Sequence, residues 1–208
     1  MIQDILNDFS NNKSTMLAAG PMSKNCIDAT IELSDSYNIP ITLIASRNQI
    51  DNLNYGGGYV NSWDTSTYAN YVRNKCKKNK IYLARDHGGP WQNNKEVLEK
   101  MSLKEAMKSA KESLKIDIDS GFQFIHLDPS IDIHESINHQ TIIDRLFDLI
   151  AFCNEYAKEK NKKVYYEVGT EEQSGSTVDF VEFENNLESI FNFCDKNSFD
   201  RPVLTVAQ

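Results

Sequence analysis

The feature that most constrains this chain is a regular alternation of short apolar runs with longer amphipathic ones. Apolar runs occupy residues 16–19, 41–45, 81–84, 122–127, 164–168 and 203–207. They are short and several are β-branched or aromatic, as parallel strands buried on both faces require. Helical periodicity fills the gaps, over residues 23–37, 65–78, 139–160 and 178–196, with a further short stretch at 2–9. The clearest helix opens at Ser102-Leu103-Lys104-Glu105, a capping box in which the Ser hydroxyl and the Glu carboxylate each take a free amide. Leu103, Ala106, Met107, Ala110 and Leu114 then recur at helical spacing and form one sheet-facing stripe.

Strand–helix alternation of this kind predicts an α/β fold with a parallel sheet. Without a Pro/Ser-rich linker, residues 1–208 read as a single domain. The expected architecture is a TIM (β/α)8 barrel of which about six of the eight β/α units are present. Residues 202–208 read as a strand with no helix after it, so the chain is expected to be a C-terminally incomplete barrel.

Composition narrows the function classes. The formal net charge is −8 and the isoelectric point is near 5.0, which disfavours nucleic-acid binding. No apolar run reaches the roughly 18–20 residues that span a bilayer, and residues 1–4 carry no secretory n-region, so a cytoplasmic protein is expected. The cysteines, Cys26, Cys76, Cys153 and Cys194, lack zinc-finger or redox spacing and read as reduced core thiols.

Polar residues gather where the predicted strands end. They include Ser46-Arg47-Asn48-Gln49, Arg85-Asp86-His87-Gly88-Gly89, His126-Leu127-Asp128-Pro129-Ser130 and Glu167-Val168-Gly169-Thr170-Glu171. In parallel α/β folds ligands bind at the carboxyl ends of strands. Alternation puts Phe124, His126 and Asp128 on one face and Ile125 and Leu127 on the other, so His126 and Asp128 are expected to face the barrel interior. Thr42, Ser46 and Asn48 are likewise in phase, as are Tyr165 and Glu167. His126 is either a site group or a buried histidine bonded to a carboxylate.

Asp86-His87 is the most pointed dyad, because an imidazole can ligate zinc while a neighbouring carboxylate moves a proton. Asp-His also serves as a plain loop pair. Arg47 and Arg85 are candidates to grip an anionic substrate, against the commoner fate of surface pairing. The loop Asn54-Tyr55-Gly56-Gly57-Gly58-Tyr59 is a lid, a phosphate cradle or a simple turn, and no Walker A or dinucleotide fingerprint is present. Hydroxyl-rich stretches at 62–67 and 174–177 read as helix caps, and His134 and His139 as solvated.

Taken in order, Asn48-Gln49, Gly57-Gly58-Tyr59, Asp86-His87-Gly88-Gly89-Pro90, His126-Leu127-Asp128-Pro129-Ser130 and Gly169-Thr170-Glu171 resemble the accessory, non-catalytic subunit family of class II D-tagatose-1,6-bisphosphate aldolase. The resemblance runs from about Met16 to the chain's end. It implies an aldolase-type barrel of hexitol, galactose or amino-sugar breakdown, binding a phosphorylated sugar and supporting a catalytic aldolase subunit.

By motif match the resemblance makes Asp86 the proton-transfer group and His87 a zinc ligand; within this chain the candidate further ligand is Glu167, or Glu171, which leaves a catalytic zinc short of its usual three ligands. Asn48, Gln49, Arg85, Asp128, Ser130 and Glu171 become substrate-binding residues. Zn is the implied cofactor. The match departs from the family at Ser46-Arg47, at Glu167 and at Glu172–Gly175, and the further zinc-ligand histidines of the catalytic relatives have no counterpart. The alternatives are an independent metal-dependent sugar-phosphate aldolase or epimerase, and a sugar-binding barrel without turnover.

Overall fold

A computed structural model describes residues 6–7, 11–12, 14–169 and 180–206. Its frame is one sheet of six strands in sequential order, every neighbouring pair parallel. The strands are β1 (Leu17–Ala19), β2 (Ile41–Ser46), β3 (Ile81–Asp86), β4 (Phe124–Leu127), β5 (Tyr165–Val168) and β6 (Leu204–Thr205). Helices α1 (Lys24–Tyr37), α2 (Thr65–Lys75), α3 (Asn94–Leu98), α4 (Leu103–Asp119), α5 (His139–Glu159) and α6 (Phe180–Asn197) return the chain between strands. The wall curves as a half-barrel, in agreement with the expected partial barrel.

Alternation along the strands builds two layers of core. Ile41, Leu43, Ala45 and Leu83 point outward against Ile27, Ile31, Tyr68 and Val72 of α1 and α2. Further along the wall, Ile125, Leu127, Tyr166 and Val168 meet Leu114 and Ile118 of α4 and Leu146, Leu149 and Ile150 of α5. Burying each such aliphatic side chain contributes about 1.5–3 kcal/mol. The inner face is thinner and more aromatic, with Tyr82, Ala84 and Phe124 buried and Ile44 and Tyr165 beside them. The phase predicted for β4 is therefore the observed one.

Local signals account for the helix ends. Ser102 and Glu105 form the capping box, with the Ser102 amide donating to Glu105 at 2.9 Å. The cap of α2 is Asp64, whose carboxylate accepts from the Thr67 amide at 2.7 Å. The hydroxyls of that stretch are not the cap, because Asp64 is the residue that stands immediately before the helix, while Thr65, Ser66 and Thr67 are already in its first turn. The helix expected to reach residue 78 stops at Lys75, and β3 runs on through Arg85 and Asp86. The helix expected at 2–9, the caps at 174–177 and Gln208 lie outside the described residues, apart from a helical pair at positions 6–7. All four cysteines are free, with Cys76, Cys153 and Cys194 buried. No helix among the described residues is long and apolar enough to cross a membrane.

Candidate functional site

Parallel pairing brings the strand ends to one rim. Ser46 of β2 lies beside Asp86 of β3, and His126 of β4 beside Glu167 of β5. These residues share the inner phase of the wall. Beyond Asp86 the chain turns sharply, and His87 adopts a left-handed backbone, φ 48°. That conformation is uncommon for a residue with a Cβ and marks a position set by its surroundings.

The surroundings are tight. The Gly88 amide donates to the His126 carbonyl at 2.8 Å. A Cβ on Gly89 would lie 1.7 Å from the Asp128 carbonyl oxygen, so only glycine lets the turn close over the end of β4.

His87 is thereby delivered to Asp128, its Nδ1 lying 2.6 Å from Asp128 Oδ2. The same oxygen accepts from Gln92 Nε2 at 2.7 Å, and Oδ1 accepts from the Ser130 amide and hydroxyl at 3.0 and 2.5 Å. Burial pushes the Asp128 carboxyl up, but the His87 and Ser130 bonds outweigh it and hold the group below its ordinary range. Asp128 is thus a carboxylate, Nδ1 of His87 carries the proton, and the Asp128 bond raises the pKa of His87. The other ring nitrogen, Nε2, lies 3.7 Å from Asp86 Oδ1.

His126 completes the group. Its Nδ1 is 3.6 Å from Asp86 Oδ1 and accepts the His87 amide at 3.3 Å. Its Nε2 is buried, with no hydrogen-bond partner among the described residues. At Asp86 burial acts upward, yet His126 and His87 together hold the carboxyl below its ordinary range. Burial pushes Glu167 the other way, up.

Two carboxylates of opposite tendency beside two imidazoles make an acid–base site in miniature. One ligand atom from each of Asp86, His87 and His126 lies within 4.8 Å of the others. The set suits zinc chemically, with two imidazole nitrogens and Asp86 as the oxygen donor; Glu167, the expected further ligand, is not in this close group, and His126 stands in its place. Zinc bonds of about 2.0–2.2 Å place tetrahedral ligands roughly 3.4 Å apart. Asp86 Oδ1 lies 3.7 Å from His87 Nε2 and 3.6 Å from His126 Nδ1, near that separation. Asp128 on Nδ1 of His87 is the outer carboxylate such a ligand usually has.

Asp86, His87, Asp128, Ser130 and Glu167 thus come together, while other expected site residues do not join them. Arg85 is fully buried on the opposite face of β3. It makes paired bonds of 2.8 and 2.7 Å to Asp117 of α4 and donates to the Ala45 and Ile50 carbonyls. One residue along a strand reverses the face, so Arg85 braces the helix layer while Asp86 lines the rim. Arg47 is likewise interior, bonded to Asp51 at 3.0 Å, Glu96 at 2.5 Å and the Gly89 carbonyl at 2.8 Å.

Gln49 closes its own turn, its Oε1 accepting from the Ser46 amide at 2.9 Å. Asn48 sits at the same end of the wall, but its Oδ1 accepts from the Asn94 amide at the start of α3. Glu171 lies outside the described residues. His134, read as solvated, is engaged: its Nε2 lies 2.8 Å from the Met101 carbonyl oxygen and its ring meets Trp91.

Gln92 and Glu96 had no motif to announce them. Their roles arise because Arg47 and Glu96 bracket the turn, Arg47 holding the Gly89 carbonyl and Glu96 the Trp91 amide at 2.6 Å.

Residues 3–177 match the family model of the D-tagatose-1,6-bisphosphate aldolase subunit GatZ/KbaZ-like proteins. This chain belongs to the GatZ/KbaZ-like family. No curated protein sequence matches it. Among solved structures it is similar to a probable tagatose 6 phosphate kinase from Sinorhizobium meliloti 1021, with 20% identity and a TM-score of 0.74 over 94% of this chain and 49% of that one. It is also similar to the YdjI aldolase from Escherichia coli K12, at 10% identity and a TM-score of 0.56 over 96% and 57% of the two chains. A third is the fructose-bisphosphate aldolase from Campylobacter jejuni, at 15% identity and a TM-score of 0.51 over 95% and 54%. At these identities the likeness is one of fold. The GatZ/KbaZ-like chain spans about half the length of each of these structures.

Proposed function

We propose that this GatZ/KbaZ-like protein binds a phosphorylated ketose at the Asp86–His87–Asp128 rim and supports its retro-aldol cleavage to triose phosphates as the accessory subunit of a catalytic aldolase. Hexitol, galactose or amino-sugar breakdown is the setting this reading implies. The observation that carries it is the His87–Asp128 contact of 2.6 Å, which turns Nε2 of His87 toward Asp86 at the mouth of the wall. A hydroxyl seated there meets an acceptor in Asp86 and a donor in protonated His87. Ser130 and Gln92 keep Asp128 fixed as the orienting anion.

A second reading, turnover by this chain itself, is favoured by the nearness of Asp86, His87 and His126. In it His87 and His126 would hold zinc, with Glu167 outside the close group. Zinc, when bound, supplies polarisation of the ketose carbonyl and stabilises the enediolate left by carbon–carbon cleavage. Asp86, held ionised, takes the proton of the substrate hydroxyl at its carboxylate oxygen.

One assay separates the two. Purified full-length protein is mixed with tagatose 1,6-bisphosphate, alone and with a class II tagatose-bisphosphate aldolase. The accessory reading expects no turnover alone and a faster or longer-lived partner in the mixture. Turnover alone that chelation and His87→Ala both abolish supports the second reading. No association, no effect on the partner and no turnover would sink both.

A further inference from the structure

Beside the rim, a cavity of about 430 Å3 opens between the glycine-rich loop after β2 and helix α3. That size is within the range of about 300–1,000 Å3 typical of small-molecule sites. Two hydrogen bonds bridge its walls. Asn48 Oδ1 accepts from the Asn94 amide at 2.8 Å, and Lys95 Nζ donates to the Asn54 carbonyl at 3.1 Å. Glycine is required in the loop wall: a Cβ on Gly58 would lie 1.8 Å from the Gln49 carbonyl oxygen, while Gly56 and Gly57 hold φ of 91° and 64°.

The lining offers polar groups that the fold does not use. The Gly58 amide, the Asn48 side-chain NH2 and both ends of the Asn94 side-chain amide make no hydrogen bond among the described residues. Tyr59 presents its ring at the edge with 59% of its surface exposed. The charges cancel, since Lys95 is shared between the Asn54 carbonyl and Glu99, whose carboxylate is 3.9 Å away. Helix α3 has only five residues and adds no useful dipole. A phosphate would therefore meet one spent cation and one carboxylate.

We infer that this cavity is a binding site for an uncharged polyhydroxyl ligand, a free sugar or sugar alcohol, separate from the acid–base group at the rim. The unused donors and the Asn94 and Glu99 acceptors match hydroxyl groups, which donate and accept at once. The Tyr59 ring supplies a flat apolar surface for the carbon skeleton. The site does not depend on the rim being catalytic.

The test is a backbone-amide NMR titration of the full chain with D-tagatose, galactitol and inorganic phosphate in turn. A sugar or sugar alcohol is expected to shift the amides of Gly56–Tyr59 and Asn94–Glu99. Asn94→Leu and Tyr59→Ala, both at surface positions, are each expected to weaken that binding about tenfold or more, as loss of about 1.4 kcal/mol does. Asp86→Asn is expected to leave it unchanged, which separates this site from the proposed rim function. The inference is overturned if neither polyol shifts these amides, if phosphate alone does, or if Asp86→Asn removes the response.

Discussion

Asp128 holds His87 from behind: its Oδ2 takes Nδ1 at 2.6 Å, and Nε2 is left 3.7 Å from Asp86. Carboxylate, imidazole and carboxylate thereby stand in series on a rim that two neighbouring strands create.

In metal-free protein that series makes the His87 charge pH-dependent. His87 has its pKa raised above the ordinary 6.5 by the Asp128 bond. The stabilisation from the charged pair is therefore full below about pH 6.5 and is lost as pH rises through the raised value. Asp128→Asn is expected to lower the His87 pKa, followed by imidazole NMR with pH. An unchanged titration curve would show that Asp128 does not govern His87.

Zinc affinity reads the same contact differently. Equilibrium dialysis is expected to find zinc bound by the parent protein and lost in His87→Ala and His126→Ala. Removing the outer carboxylate in Asp128→Asn is expected to cost about 10–100-fold in affinity. Equal affinity in parent and His126→Ala would remove His126 from the ligand set.

The buried Arg47–Glu96 pair is a structural element with a large cost of breakage. Both side chains are fully buried, and Glu96 also holds the Trp91 amide. Glu96→Ala leaves the Arg47 charge short of a partner in a dry interior, and about 3–5 kcal/mol of stability is the expected loss in urea unfolding. A single-variant loss of about 1 kcal/mol or less, the scale of an exposed pair, contradicts the buried network.

Gly89→Ala tests the close turn. Its new methyl would overlap the Asp128 carbonyl, so a loss of at least about 1–3 kcal/mol is expected, together with changed imidazole shifts at His87. Retained stability and unchanged shifts would mean that the turn can move without cost.

Much of this molecule was legible along the chain because strands and helices are local in period. Alternation placed Ile125 and Leu127 toward the helices and His126 and Asp128 toward the interior, and the capping box at Ser102 and Glu105 formed as the spacing requires. The same alternation also carries the fate of Arg85, one residue out of phase with Asp86, although the apolar run that marks its strand ends at residue 84. Short apolar runs mark where a strand is buried, and they fall silent where a charged side chain is buried with a partner.

From the chain alone, then, came the parallel α/β wall, the rim at which Asp86, His87 and Asp128 stand, and the family to which those motifs belong. Folding decided which of these polar groups touch. His87 and Asp128 are 41 residues apart, Arg47 and Glu96 49, and Asn48 and Asn94 46. Pairings at such separations are set by strand register and by the tight packing of turns over strand ends. Those are properties of the assembled wall, and no local periodicity encodes them.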